Sequence, residues 1–573
     1  MTLEELARPH ALRNRAEYGS ADAKAVFSKV IRESPEAKAD PKKALVLVQK
    51  LVEEVNTLSA TQLENELSKL APLERKQAPT ESKFDLPNLI PGQVVTRFLP
   101  EPNFILHIGH AKAAWLSRTL ADQNQGRCLL RFDDTNPEAE KAEYVDKIQE
   151  SIQWLGLRFD STGYTSDKMS QFYSYAEQLF KQGDLYACHC TKEEMSKGRT
   201  EGKACAHRTR TVEENLDLWK KMLNRGVKEG EAIVRLKADM QSLNTVMRDP
   251  TMFRIVAAPH YRQGDKYWAW PTYDFEVSIA DSLDGVTHAL RSKEYELRDE
   301  LYYLILDKLG LRKPFVYDYS RLNIKGTQLS KRKLKALFEA GQLSDWDDPR
   351  LPTLIGLRRR GLLPQAIKSF VLSFGLSKVE SEPSWEALLV ENRKLLDPIA
   401  PRYHFVKDPV KLVVDNAPAD LKQVTIANHP EKKELGERTV AITNEFYIPI
   451  ADAQALENGE VFRLRDVYNI TLMDKTELGK GLVKGTFHST QLIAQSKKIQ
   501  WTPASASGFL PAKVLVPQEL FVDGSYNPNS LRVDTGCVES ALRNVPEGTS
   551  LQFLRYGFVR LDRSKEQQYI YAC

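Results

Sequence analysis

"VVTRFLPEPNFILHIGHAKAAWLSRTL", residues 94–120, passes from a β-rich run through a Pro-Glu-Pro-Asn turn into a stretch of helical periodicity. "GQVVTRFLP" reads as a short strand, and "HAKAAWLSRTLADQNQG" repeats apolar positions at helical spacing until Gly126 stops it. The pattern then recurs, with "RCLLRFDDTNP" as strand and turn and "EAEKAEYVDKIQESIQWLG" as helix. Strand, helix, strand, helix at this spacing predicts a parallel α/β sheet. Ligands of such sheets bind beyond the carboxyl ends of the strands, where the free N–H groups of a helix N-terminus favour phosphate. His107 and His110 stand at that junction on either side of Gly109, which has no Cβ to keep a flat ring off the backbone. Taken alone, His-x-x-His reads more readily as two structural histidines or half of a metal site.

Working outward, residues 1 to about 75 read as helical, with apolar positions at helical spacing in "DPKKALVLVQKLVEEVNTLSATQLENELSKL". "KQAPTESKFDLPNLIPG" reads as a linker. On the other side of the opening stretch, the helix "SQFYSYAEQLFKQG" leads into "LYACHC", and residues 184–266 break the alternation with strands such as "EAIVRLKA" and "MFRIVAA". They read as a domain inserted into the sheet. Strand-like "WAWPTYDFEVSIADSLDGVTHALRS" and the helix "LRDELYYLILDKLG" resume the α/β pattern, and residues 311–400 are mainly helical. From about 402 onward come short strands with polar turns, among them "VKLVV", "VFRLRDVYNITLM", "AKVLVP" and "SLQFLRYGFVRLD", which predict one or two antiparallel barrels.

The chain has 573 residues, enough for several cores. It is 42% hydrophobic and 28% charged, and Lys plus Arg exceed Asp plus Glu by 81 to 77, for a net +4. That balance neither demands nor excludes a nucleic acid, since a local basic face can sit in a near-neutral total. No apolar run approaches the roughly 18 to 20 residues of a membrane span, and "MTLEELARPHALRNR" lacks a signal-peptide core, so the expectation is a cytoplasmic protein.

The histidines gain meaning from "QLSKRKL", residues 328–334. A basic loop is usually a solvated patch, yet a mobile lysine reaching a triphosphate is what phosphoryl chemistry needs as charge builds on the departing oxygens. "HIGH" with a later "SKR" resembles the signature pair of class I aminoacyl-tRNA synthetases. "LRFDDTNPEAE", "VMRDPTMFRI", "YDFEVSIADSLDGVTHAL", "YSRLNIKGTQLSKRKL", "WDDPRLPTLIGLRRRG" and "ENRKLLDPIAPRY" follow in the order of its glutamyl/glutaminyl subgroup.

The resemblance implies a Rossmann-like catalytic domain in two parts, 93–183 and 267–310. An acceptor-stem-binding domain at 184–266 interrupts it. A helical subdomain with the SKR loop spans 311–400, anticodon-binding β-barrels span 401–573, and 1–80 is an N-terminal helical extension. It implies that His107 and His110 stabilise the α-phosphate of ATP, bound with Mg2+, while Lys331, preceded by Ser330, neutralises the leaving phosphates. Glu101, Asn103, Gly109, Lys112, Ser292, Arg321 and Leu322 would complete the nucleotide site, with Gly109 under adenine. Arg97, Asp133 and Tyr273 would face the amino acid, Asp133 suiting its α-ammonium. Phe104 and Ile105 stand where relatives usually carry a small turn residue, and Gln328 and Leu329 replace the first two letters of the class signature.

Where glutaminyl members read Ser-Leu-Cys-Thr, this chain reads "ALRS", with Arg291 at the cysteine's place. A buried guanidinium pairs with a γ-carboxylate and matches an amide poorly, which points to glutamate unless Arg291 is consumed by a protein acid such as Glu294. The barrel domain and the N-terminal helices resemble the archaeal kind, whose members often load glutamate onto both tRNA(Glu) and tRNA(Gln). A monomer is expected. Cys188, Cys190, Cys205 and His207 form C-x-C…C-x-H, which is either free thiols in a reducing cytosol or a tetrahedral zinc site. Glutamyl members carry a similar arrangement, which favours structural zinc and leaves His189 a bystander. Basic segments such as "GLRRRG" would follow RNA phosphates. Tyr468, Phe553, Arg555, Tyr556 and Phe558 are candidates for stacking anticodon bases, although each aromatic is more readily barrel core.

Overall fold

The computed structural model describes residues 3–34, 37, 40–68, 84–327 and 331–573. The chain divides into two compact units, 1–81 and 82–573.

The first unit is helical, as its periodicity predicts: α1 (Leu3–Tyr18), α2 (Ala23–Glu33), α3 (Pro41–Thr57) and α4 (Ala60–Ser68). Asp22 and Asp40 cap α2 and α3 by accepting from backbone N–H groups, and Pro41 occupies the first turn, where its missing N–H costs nothing. Ala7, Ala11, Val26, Val30, Val48, Leu51 and Val55 close a core of their own.

The second unit begins with β1 (Val95–Phe98), α5 (Ile108–Gln123), β2 (Arg127–Phe132), α6 (Ala142–Trp154), β3 (Ser161–Tyr164) and α7 (Met169–Lys181). β1, β2 and β3 pair in parallel. An antiparallel sheet interrupts, formed by β4 (Leu185–Cys188), β5 (Ile233–Leu236), β6 (Thr251–Ile255) and β7 (Ala269–Pro271), with α8 (Lys192–Glu201) and α9 (Val212–Leu223) between its first two strands. The parallel pattern resumes with α10 (Tyr273–Leu283), β8 (His288–Ser292), α11 (Asp299–Leu309) and β9 (Phe315–Tyr319). β8 and β9 pair in parallel, and the Thr287 amide donates to the Val95 carbonyl at 2.8 Å, which sets β8 beside β1. The spatial order β3-β2-β1-β8-β9 reverses direction between β1 and β8, and a crevice opens at such a switch point.

One expectation is corrected here. The strand-like reading of residues 268–292 fails in its middle, because "YDFEVSIADSL" is α10, buried at Phe275 through Asp281. A continuous apolar run does not separate a buried helix from a buried strand.

Beyond β9 lie α12 (Lys331–Glu339), α13 (Leu354–Arg360), α14 (Pro364–Ser373) and α15 (Trp385–Leu396). Two seven-stranded sheets follow among the described residues, each over its own core. Most of their strand pairs are antiparallel, but four are parallel: Pro409–Asp415 with Leu482–Ser489, Val461–Leu464 with Lys497–Ile499, Phe509–Pro517 with Gln568–Tyr571, and Arg402–Tyr403 with Ser550–Phe553. Tyr468 and Phe553 are buried in the two sheet cores and Phe558 in the core shared with the helical subdomain, whereas Tyr556 is half-buried and Arg555 exposed on an ion pair with Asp452. No described helix is long and apolar enough to cross a membrane.

Candidate active site

α5 begins immediately after the β1 loop, and both signature histidines are built into its N-terminus. His107 is the N-cap, and its Nδ1 accepts from the Gly109 amide at 3.0 Å. The His107 amide donates to Nδ1 of His110 at 3.1 Å, so the two imidazoles form a reciprocal capping box with ring centroids 3.8 Å apart. With each Nδ1 accepting, the ring proton sits on Nε2 in both. Burial holds both rings neutral: His107 is pushed well below the ordinary range by burial, then by His110 and Arg321, and burial brings His110 to about 4. At neutral pH the pair therefore offers N–H donors, not cations. A Cβ on Gly109 would lie 2.8 Å from Cε1 of His107, so the flat ring that requires glycine here is that of His107 itself.

The segment Leu351–Leu354 fastens this turn. Ile108 donates to the Pro352 carbonyl at 3.0 Å, Leu354 donates to Leu106 at 2.9 Å, and His107 bridges Thr353. Phe104 packs edge-on against Trp346 at 4.4 Å and Ile105 is buried, so these two residues are where the loop meets the helical subdomain.

The histidines open onto a cavity of about 2220 Å³ that spans the switch point. Glu101, His107, Gly109, His110, Lys112, Ser292, Arg321 and Leu322 line it on one side, and Arg97, Asp133, Tyr273 and Arg291 line its floor. Asn103 is not among the lining residues. Lys331 opens α12, and Ser330 lies outside the described residues. Lys112 is buried, with Nζ donating to the Ser320 carbonyl at 2.6 Å and lying 5.4 Å from the Tyr319 ring centre; burial lowers it to about 8. Its bond ties α5 to the end of β9. Arg321 pairs with Glu294 at 3.3 Å. The buried hydroxyl of Ser292 has no hydrogen-bond partner among the described residues.

The floor is a charged network. Arg97 Nε reaches Asp281 at 3.1 Å and its Nη1 the Leu290 carbonyl at 2.7 Å, while Arg131 bridges Asp281 and Asp284. Burial pushes the Asp281 carboxyl up, but the two guanidiniums outweigh it and hold the group below its ordinary value. Removing one partner of such a buried set costs about 3–5 kcal/mol. Asp133, just past β2, is raised chiefly by burial, and the buried acid Glu276 beside it is raised well above the carboxylate range by burial and then by Asp133. Arg291 ends among the rings of Tyr273, Tyr295 and Tyr302, 5.3 to 5.8 Å from their centres. Arg291 does pair with a protein acid, as the alternative reading allowed, but the acid is Asp299, 3.1 Å from Nη1, and not Glu294; its buried Nε meets no acceptor among the described residues.

The sequence reading passed over Tyr295, Asp299, Tyr319 and the α8 side of the cavity, where Lys192, Lys197, Arg199 and Arg254 continue the lining. The three basic residues of "KEEMSKGR", Lys192, Lys197 and Arg199, were the signal for it. At the foot of α8, the ligand atoms of Cys188, Cys190, Cys205 and His207 all lie within 4.8 Å of one another. Cys188 Sγ is 3.8 Å from Cys205 Sγ and 3.7 Å from His207 Nδ1, and Cys190 Sγ is 3.4 Å from the same nitrogen. A tetrahedron with Zn–S near 2.3 Å and Zn–N near 2.0 Å has edges of about 3.8 and 3.6 Å, so the donor set fits zinc. Arg235 points at both Cys188 and Cys205 sulfurs, at 3.9 and 3.8 Å, and His189 turns away to the Glu231 carbonyl.

Comparison with known proteins agrees with this geometry. Residues 93–398 match the catalytic-domain model of class I tRNA synthetases (E and Q), and residues 400–488 and 498–562 match two anticodon-binding-domain models of the same group. The chain is 41% identical to a glutamate–tRNA ligase of Nitrosopumilus maritimus, over 98% of this chain and 97% of that one. It is 38% identical to one of Pyrococcus furiosus over 100% and 99%, and 39% identical to one of Korarchaeum cryptofilum over 98% of each. With its switch-point cavity, its capped histidine pair and its length covered almost throughout, the chain belongs to the class I tRNA synthetases of the E and Q group.

Proposed function

We propose that this chain attaches L-glutamate to tRNA(Glu) in two steps. A glutamate carboxylate oxygen attacks the α-phosphorus of ATP and pyrophosphate leaves; the 2′-hydroxyl of the terminal ribose then attacks the acyl carbon of the adenylate and AMP leaves. The observation that carries glutamate over glutamine is the buried Arg291, which faces the same cavity as the histidine pair with one N–H unmatched. The Nε2 hydrogens of His107 and His110 donate to the α-phosphate as its charge grows, which is positioning and electrostatics without a nucleophilic side chain. Asp133 meets the α-ammonium, Tyr273 supplies a hydroxyl, and Ser292, Glu101, Arg321 and Leu322 hold the nucleotide. Lys331, from the SKR loop, neutralises the departing pyrophosphate, which in ATP is carried with Mg2+.

The basic α8 residues lining the cavity, Lys192, Lys197 and Arg199, suit the phosphates at the 3′ end of tRNA, and structural zinc on Cys188, Cys190, Cys205 and His207 would hold the foot of that helix. With four protein ligands, the ion has no open position for catalysis. The enzyme works in the cytoplasm, where its tRNA is. A glutaminyl activity is the competing reading, and tRNA(Gln) is a second candidate acceptor. Charging of separate tRNA(Glu) and tRNA(Gln) transcripts with each amino acid tests all of this. Glutamate on tRNA(Glu) is expected, and loading of glutamine alone would overturn the proposal.

A further inference from the structure

Arg291 is next to last in β8, and the parallel register sets Asp318 of β9 opposite it. The acid that takes its Nη1, Asp299, is the first residue of α11. The Arg291 side chain is 2% exposed and that of Asp299 is 26% exposed, so the ion pair runs from the cavity floor toward solvent. Asp318 is buried, and its Oδ1 has no geometric hydrogen-bond donor among the described residues. Asp318 thus sets a second carboxyl beside the Arg291–Asp299 pair, and its presence favours a proton on Asp299. A proton on Asp299 relieves part of the charge that two acids facing one guanidinium would otherwise carry. The cation on the cavity floor thus faces a counter-charge of one or two, according to that proton.

We propose that Asp299 and Asp318 are positioning residues for Arg291, anchoring one edge of its guanidinium and setting how strongly it draws the carboxylate of a substrate side chain. This rests on the reading of Arg291 as the group that meets the glutamate side chain. With the proton in place, the two acids carry one negative charge. When the proton leaves, a second charge close to the guanidinium weakens its hold on an incoming carboxylate, an effect worth about fivefold in affinity at the effective dielectric of a half-buried site. Burial, and after it Asp318, brings the Asp299 carboxyl up to about 7. The groups facing Asp299 are Arg291 from β8, Asp318 from β9, Glu296 from the turn before α11 and Tyr303 on α11. Arg97, Tyr273, Tyr295 and Tyr302 face Arg291 in turn. The phenols are all pushed up by burial and stay neutral in this range.

The test is KM for glutamate in tRNA-dependent pyrophosphate exchange between pH 6.5 and 8.5, with KM for ATP as the control. In the wild type, KM for glutamate is expected to rise about fivefold as pH rises, with KM for ATP within twofold. Asp299→Asn and Asp318→Asn keep an acceptor and break the titration, and each is expected to flatten the profile. The two variants sit on different elements, so if one fails to fold the other still decides. A flat wild-type profile, a folded variant that keeps the wild-type slope, or a KM for ATP that climbs in step would each overturn the inference. Arg291→Ala separates the layers. If it leaves glutamate KM unchanged, the reading of Arg291 falls and this inference with it; if it raises KM while the Asn variants keep the slope, only the inference falls.

Discussion

Arg291→Gln removes a charge from the amino-acid pocket while keeping hydrogen-bond donors. Two unit charges about 4 Å apart at an effective dielectric near 20 attract by about 4 kcal/mol. The Arg291 side chain is only 2% exposed, so solvent screens little, but Asp299 at 3.1 Å already neutralises part of the guanidinium. Discounting for that leaves about 2–3 kcal/mol for a substrate carboxylate, or roughly 30- to 150-fold in kcat/KM for glutamate. Glutamine gains nothing from the guanidinium and loses little, so the glutamate-to-glutamine ratio should fall by nearly the whole factor. The fold should survive, because Asp299, left without its cation, takes up a proton beside Asp318. Pyrophosphate exchange with each amino acid in the presence of tRNA reads the ratio, and a thermal melt confirms folding. A ratio unchanged within threefold, or an equal loss for both amino acids, would show that this guanidinium does not read the substrate side chain.

Gly109→Ala should drive a Cβ against the His107 ring and lower the rate of adenylate formation at least tenfold, with a small change in melting temperature; an unaffected rate would mean the ring position is unimportant. The histidine pair makes a pH prediction of definite sign. An unfolded chain protonates its histidines near pH 6.5, but the folded site keeps them neutral far lower, so stability should be lost as pH falls from about 6.5 toward 4, and His110→Asn should reduce that loss. Melts between pH 7.5 and 4.5 measure it. Metal analysis should find one zinc per chain, and Cys205→Ser or a strong chelator should remove it and lower the melting temperature by several degrees; full thermal stability in a zinc-free protein would refute the structural role.

Much of the site is local and therefore visible in the chain. A helix N-terminus needs acceptors for its first amides, and residues one turn away supply them, so "HIGH" after a strand already contains the capping box. The C-x-C…C-x-H spacing likewise contains the geometry of its cluster, because β4 and the turn after α8 are close along the chain. Reading fails where an apolar run is buried on all sides, as in α10; for Tyr468, Phe553 and Phe558 the structural expectation, burial in a core, is what the structure has.

What the sequence alone determined is the parallel α/β plan, the order of its motifs, and the chemical types gathered for an acidic amino acid and a nucleotide; those follow from neighbours in the chain and from periodicity. Only the tertiary structure decided which charges pair. Arg97 finds Asp281 across 184 residues, and Arg291 takes Asp299 while the nearer Glu294 goes to Arg321. Ion pairs are chosen by how strands and helices cross, and at a β8–α11 corner the first residue of the helix comes closer to the guanidinium than one five positions earlier. The turn that carries the histidines was decided the same way, since its backbone is fastened by a segment more than 240 residues further on.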